Sequence, residues 1–251
     1  MNFNILRFET IDSTNTEAAK HAKLGAREGL CIIAGQQTAG RGRHGRIWFS
    51  NRDSGLYLSV LLRPKIESRF LPLITLMTGV AVHDTLLKFG LKPDIKWVND
   101  VLVRGKKISG ILAEALETDA GLAVVVGIGI NINSSGLPPG ISVAATSVEE
   151  ETGRTITIEE LAEQLIQFFD HFHDILTGVN GPVEIIKEWR RRSSYFSGKN
   201  VRVVMENETV VGTTDGLEEN GALRVKTGDG SVKIVQAGDV ERLRSSQNRE
   251  R

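Results

Sequence analysis

The sequence predicts an α+β protein: a mixed sheet with packed helices over residues 1–195, a small all-β module over 196–245, and a disordered tail at 246–251. Three observations predict it. Strand-like runs and helix-period segments interleave through most of the chain. From about Ser197 the texture changes to short β runs, "NVRVVM", "TVVGTTDGL", "GALRVKT" and "SVKIVQ", split by "MENE", "EENG" and "GDG" turns, the pattern of a small antiparallel barrel or meander. A length of 251 residues with 40% apolar and 25% charged residues suits one large globular domain plus a small appendage.

The elements follow in order. "FNILRFETI" alternates as a short strand. "STNTEAAKHAKLGA" reads as a helix; Thr14 and Glu17 have capping-box spacing and Gly25 ends the pattern. "GLCIIAGQ" is a buried strand, and "GLYLSVLLRP" is a second, stopped by Pro64. "LPLITLMTGVAVHDTLLKF" is the clearest helix, with Pro72 near its start and Gly90 just after it. "DIKWV" is a short strand, "NDVLVRGKKISGILAEAL" a hairpin turning at "RGKK", and "GLAVVVGIGININ" another strand. "PPGISVAATSVEEETGRT" reads as a loop. "TIEELAEQLIQFFDHFHDIL" and "PVEIIKEWRRRSSY" read as two helices.

Composition excludes several classes. With 31 basic and 31 acidic residues the net charge is zero, without the basic excess of a general nucleic-acid binder. The longest apolar run identified, "GLAVVVGIGI", is glycine-broken and falls short of the ~20 residues of a membrane helix, and the first residues lack the basic start and apolar core of a secretory signal. The lone Cys31 forms no intramolecular disulfide and sits in a buried-strand pattern, as an inert thiol in a reduced, cytoplasmic compartment.

"AGRGRHGRIWF" contains Gly40, Gly42 and Gly45 in the G-x-G-x-x-G spelling of a dinucleotide-binding turn. That turn needs a helix directly after the last glycine, because the helix N-terminus holds the pyrophosphate. Here "IWFSNRDSGLYLSV" follows, with breakers and β-type runs. A phosphate loop ending in Gly-Lys-Ser/Thr is absent too. Glycines give the backbone freedom and Arg41, Arg43 and Arg46 supply planar, permanent cations, so the stretch reads as an anion-clamping loop able to close over its ligand.

Three further stretches carry polar chemistry. "DSTN" (Asp12–Asn15) stands at a helix start. The hairpin gathers Lys96, Asn99, Asp100, Arg104, Lys106 and Lys107. Strict alternation puts Lys107, Ser109 and Ile111 on one face, and Lys106, Ile108 and Gly110 on the other. "GIGININ" (Gly127–Asn133) places small residues at a strand end, where a ligand can approach closely.

In this order, "DSTN", "QTAGRGRHGRIWFS", "GLYLSVLLRP", "KWVNDVLV", "GKKISGILAE" and "VVVGIGININ" closely resemble the biotin–protein ligases over residues 5–195, and by texture into the β module. The resemblance implies a class II synthetase-like catalytic domain followed by an SH3-like β-barrel. It implies an enzyme that joins biotin to ATP, giving biotinyl-5′-AMP and pyrophosphate, then transfers biotin to one lysine of the carrier protein or domain of a biotin-dependent carboxylase. Biotin and ATP are the substrates and Mg²⁺ the accompanying ion. Two anions meet in the first step, so cations must neutralise both.

The resemblance also implies residue roles. Ser13, Thr14, Asn15 and Gln37 would line the biotin pocket, with Gly110 and Gly127. Arg41, Gly42 and Arg43 would close over biotin and the adenylate, with Arg46 beside them. Lys107 would contact the biotin carboxylate and the phosphate, and Asn99 and Asp100 would lie near ATP. Asp100 would hold Mg²⁺ or orient a lysine; Lys107, Arg43 and Asp100 form the catalytic set. Trp48 would flank the adenine, and Gly129 and Asn131 would lie on the strand by the nucleotide. His44 stands where an arginine is common and Val98 where a proline is common; neither removes a cation of the set.

Bifunctional relatives carry an N-terminal helix-turn-helix domain. Here "DSTN" begins at residue 12, so the expectation is a ligase without repressor activity and without specific DNA or membrane partners. A homodimer is compatible with the resemblance. Lipoate–protein ligases are the nearest alternative, but their ligand lacks a ureido ring and suits a less hydroxyl-rich pocket. A nucleic-acid module is the other; Tyr195 and Phe196 near the β module do not make a stacking surface.

Overall fold

A computed structural model describes residues 1–135 and 137–243; the expected tail lies outside them. Seven strands form one mixed sheet: β1 (Asn4–Ile11), β2 (Leu30–Gln37), β3 (Gly55–Leu62), β4 (Pro93–Lys96), β5 (Asp100–Val103), β6 (Lys106–Thr118) and β7 (Gly121–Asn131). Their order is β1-β2-β3-β7-β6-β5-β4. Only β1 and β2 are parallel, joined through α1 (Thr14–Lys23); the other neighbours are antiparallel.

Both faces of the sheet are covered, which is why all of β3 is buried. On one face Ala18 and Ala22 of α1 pack on Leu30, Ile32, Leu61, Ala123 and Val125. On the other lie α2 (Leu73–Lys88), α5 (Ile158–Thr177) and α6 (Gly181–Arg192), against Ile33, Leu58, Val60, Val126 and Ile128 among others. The segment Ser68–Lys88, which includes α2, is by length and composition apolar enough to span a membrane, and longer than the run identified from the sequence. Of its most apolar 18-residue window 72% is buried inside the protein, and apolar side chains all round its axis are what a central helix needs. Cys31 is fully buried and its thiol is pushed up to about 12 by desolvation.

Three local expectations are corrected. The cap of α1 is Ser13, whose side chain makes no capping bond; the Thr14 hydroxyl points at Gln37 instead, so no capping box forms. The stretch expected to be a loop contains two short helices, α3 (Pro139–Ser142) and α4 (Val148–Thr152), the latter capped by the Ser147 hydroxyl and ended by Gly153 in the left-handed region. The hairpin turns through Arg104 and Gly105, both at positive φ, but its ladder carries a bulge: Leu102 faces Lys107 while Val101 faces Ser109. The extra residue, Ile108, goes into the core, and strict alternation fails on the Lys107 side of it.

The C-terminal strands β8 (Ser197–Val204), β9 (Thr209–Leu217), β10 (Leu223–Thr227), β11 (Val232–Val235) and β12 (Asp239–Arg242) form an antiparallel sheet in the order β11-β10-β9-β8-β12. Among the described residues no ladder joins β11 to β12, so the barrel is not closed by hydrogen bonds. Its core is continuous with that of the large domain: Val201, Val203, Leu223, Val225 and Val240 join the same cluster as α2 and Trp97. Trp97 Nε1 donates to the Gly221 carbonyl at 2.9 Å.

Candidate active site

The site forms where the ends of β2, β6 and β7, the start of α1, the Arg/Gly loop and β12 meet. They enclose a cavity of about 330 Å³. Every residue to which the resemblance gives a site role lines it: Ser13, Thr14, Asn15, Gln37, Arg41, Gly42, Arg43, Arg46, Trp48, Asn99, Asp100, Lys107, Gly110, Gly127, Gly129 and Asn131; Arg104 and Lys106 of the hairpin do not, and pair with Glu151 and Glu150 instead.

The wall at the start of α1 is a hydrogen-bonded network. Gln37 Oε1 accepts from the Thr14 backbone at 2.8 Å and lies 3.1 Å from its hydroxyl, while Gln37 Nε2 donates to Ser50 Oγ at 2.7 Å. Ser59, wholly buried on β3, donates to Asn15 Oδ1 at 2.6 Å and stands 2.7 Å from Thr14 Oγ1. Asn15 Nδ2 donates to the Leu112 carbonyl and to Glu114 Oε2 at 3.2 and 2.7 Å. The same Glu114 oxygen accepts from Arg41 at 2.7 Å. Both N–H groups of Asn15 are thereby committed to the protein, and the network runs from the helix start to the loop.

Glycines make the floor. A Cβ on Gly127 would stand 2.2 Å from Asn15 Oδ1, one on Gly129 would stand 2.4 Å from the Trp48 ring, and one on Gly110 would meet Lys107 Nζ and Trp48 at 3.0 Å. The close approach expected at this strand end is thus made here by the protein's own side chains. Lys107 shares its face with Gly110 because of the bulge. Its ammonium lies 5.4 Å from the centre of the Trp48 ring. The Trp48 Nε1–H is shut off from solvent against Gly129 and has no hydrogen-bond partner among the described residues. Asn131 Nδ2 holds the Thr146 carbonyl at 3.0 Å, and the Lys107 backbone brackets the same segment through Ala144 and Thr146 at 2.8 and 2.9 Å.

The Arg/Gly loop is a closed turn. Arg41 bridges Ile47, Gly42 N donates to the Arg46 carbonyl, and His44 and Gly45 take positive φ at the tip. No helix follows Gly45, which removes the dinucleotide reading. Each cation already has a protein partner. Arg43 donates to Asn99 Oδ1 at 3.0 Å, and Arg46 pairs with Asp239. Asp100 takes Lys107 on one oxygen at 2.6 Å and Lys96 on the other at 2.9 Å. Burial pushes the Asp100 carboxyl up, but the two lysines outweigh it and hold it below the ordinary range. Burial likewise draws the Arg43 guanidinium below its usual value, against the pull of Asp239 and Asp100.

Five cations, Arg41, Arg43, Arg46, Lys96 and Lys107, therefore share three carboxylates, Glu114, Asp100 and Asp239. The residues do not fit a protein-built magnesium cage. Both Asp100 oxygens are taken by lysines, and no cluster of three His, Cys, Asp or Glu side chains suited to a metal stands among the described residues. Of the two roles expected of Asp100, holding Mg²⁺ or orienting a lysine, its contacts with Lys107 and Lys96 fit the second. Sequence reasoning missed Ser59, Glu114, Asp239, Val240 and Glu241. Ser59 and Glu114 lie in the stretches "GLYLSVLLRP" and "GKKISGILAE" without a local mark of their role, and nothing local marks the other three; all reach the site through pairing with a distant segment.

Residues 7–131 match the biotin/lipoate A/B protein ligase family and residues 196–243 match the biotin protein ligase C-terminal domain. Fold and cavity are thus those of a protein ligase that works on a small carboxylic acid. The chain is 35% identical over 248 residues to the bifunctional ligase/repressor BirA of Bacillus spizizenii, covering 96% of this chain and 74% of that one. It is 33% identical over 239 residues to the biotin–[acetyl-CoA-carboxylase] ligase of Mycobacterium tuberculosis, covering 92% and 86%. The solved biotin protein ligase from Aquifex aeolicus in complex with biotin and ATP superposes with a TM-score of 0.83 at 29% identity, over 96% of this chain and 99% of that one. The chain belongs to the biotin protein ligase family.

Proposed function

We propose that this ligase forms biotinyl-5′-AMP from biotin and ATP and then transfers biotin to a lysine of a carboxylase carrier domain. The observation that carries the reading is the convergence of Lys107 and Arg43 above the floor of Gly110, Gly127 and Gly129. In the first step a biotin carboxylate oxygen attacks the α-phosphorus and the bond to pyrophosphate breaks. Lys107 and Arg43 offset the negative charge of both reactants and the charge that builds on the phosphate. In the second step the neutral amine of the carrier lysine attacks the acyl carbon, AMP leaves, and the amine's proton is lost. The nucleotide substrate is MgATP, and Asp100 serves to orient Lys96 and Lys107.

The roles follow the geometry. Ser13, Thr14 and Gln37 present polar groups to biotin, while Asn15 positions that wall through Ser59 and Glu114. Asn99 holds Arg43, Trp48 offers a ring face to the adenylate, and Asn131 holds the segment around Thr146 beside Lys107. The named relatives and the Aquifex complex support biotin over lipoate. The zero net charge, with the site's cations already paired, leads us to propose no sequence-specific DNA binding by this chain.

The test is direct: incubate the protein with MgATP, a carrier domain and either biotin or lipoate, and weigh the carrier. A mass gain of one biotin, and none with lipoate, is expected. Modification by lipoate alone would overturn the assignment.

A further inference from the structure

The C-terminal module touches the Arg/Gly loop through one short stretch. Asp239, the first residue of β12, pairs with Arg46, and its other oxygen lies 3.9 Å from Arg43 Nη1. The carbonyl of Gly238 accepts from the same Arg43 nitrogen at 3.3 Å. Gly238 is tightly seated: a Cβ there would stand 2.9 Å from Val203 Cγ1 and 3.1 Å from the Val204 carbonyl. β12 pairs with β8, placing Asp239 opposite Val204, and Val203 and Val240 belong to the main core. Asp239 is therefore mounted on a fixed edge, while the loop it grips is a turn closed mostly on itself.

The two arginines it meets differ in setting. The Arg43 side chain is 17% exposed and faces the cavity. That of Arg46 is 59% exposed on the rim, and among the described residues its ion partner is Asp239. An arginine turned to the rim is badly placed to neutralise reacting groups and well placed to fasten a flap.

We propose that Asp239 is a positioning residue of the C-terminal module that latches the Arg/Gly loop through Arg46 and so sets how long the acyl-adenylate is retained before the acceptor lysine arrives. This rests on the ligase reading above. The latch acts on the loop's opening equilibrium, not on the chemical step. A half-exposed ion pair is weak, so its loss is expected to change leakage by about two- to fivefold and not by orders of magnitude.

The experiment uses the full chain, radiolabelled biotin, MgATP, a carrier domain and serum albumin as bystander. It reads the rate at which biotinyl-AMP leaves the enzyme and the ratio of albumin to carrier labelling. Asp239→Asn should raise both about two- to fivefold, and Asp239→Glu should keep them near wild type. The charge swap Arg46→Asp with Asp239→Arg should leak less than either single change, a rescue that general structural damage would not allow. Unchanged or slower release from Asp239→Asn, or a swap no better than the single variants, overturns the latch. A wild-type protein that makes no adenylate is a separate outcome, which overturns the ligase reading and the latch with it.

Discussion

Lys107 is held where two demands meet: Asp100 fixes its ammonium at 2.6 Å, and Gly110 leaves its chain room to lie on the cavity floor. Lys107→Ala should therefore slow adenylate formation by roughly 3 kcal/mol or more in barrier, by analogy with the loss of a preorganised donor to a developing oxyanion. Wild-type rates of biotin-dependent ATP–pyrophosphate exchange in that variant would refute the role. Gly127→Ala tests the floor. The new methyl would overlap Asn15 Oδ1, and overpacking of about 1–3 kcal/mol should appear as at least a severalfold weaker biotin affinity by calorimetry. At this scale the sequence displayed the cations and glycines, because those residue types announce anion handling and close approach. It did not display their partners. Asn15 meets Glu114 across 99 positions and Arg46 meets Asp239 across 193; no local pattern announces either pairing, although Glu114 closes the stretch "GKKISGILAE".

The elements show the same division. Helices α2 and α5 and the central strands were legible because periodicity reports burial directly. The bulge between Val101 and Leu102 was not, since no Gly or Pro marks it, and it reassigns Lys107 to the face of Gly110. Short helices between Pro139 and Thr152 escaped notice because four or five residues carry too little period to read. The joint between α2 and α6 makes its own prediction. Arg192 donates to both Asp84 oxygens, at 2.6 and 2.7 Å, while His83 lies 2.9 Å from the first. Burial pushes the Asp84 carboxyl up, but His83 and Arg192 more than offset it and hold it below the ordinary value. The stabilisation is thus fully present above the usual carboxylate range, about pH 4, and is lost as pH falls through the lowered folded-state pKa. Asp84→Ala should cost about 2–3 kcal/mol in urea unfolding at pH 7, short of the full buried-pair value because both side chains keep some solvent contact. The gap between variant and wild type should narrow at more acid pH; a constant gap would remove the ion pair as its source.

Taken as a whole, the chain reads as two textures but packs as one core. The boundary near Ser197 is a change of strand length and turn spacing, while Trp97, α2 and the C-terminal valines share a single apolar cluster. Deleting the β module should therefore unfold or aggregate the remainder rather than leave a leaky enzyme, since Leu73, Leu76 and Trp97 would be bared beneath Gly221; a cooperative melt near the full-length midpoint in such a truncation would contradict this. The pairing of every site cation with a protein carboxylate or amide has a further consequence. Filling the cavity is an exchange reaction, in which ligand oxygens take over arginines and lysines that Glu114, Asp100 and Asn99 already hold, while Arg46 stays with Asp239 on the rim. An arbitrary anion gains little from such a swap, because it surrenders as many contacts as it makes. Only a molecule able to engage several of these cations at once comes out ahead, so the site works as an ion exchanger with a high threshold, and its occupancy should respond less steeply to ionic strength than that of a pocket lined with bare charge.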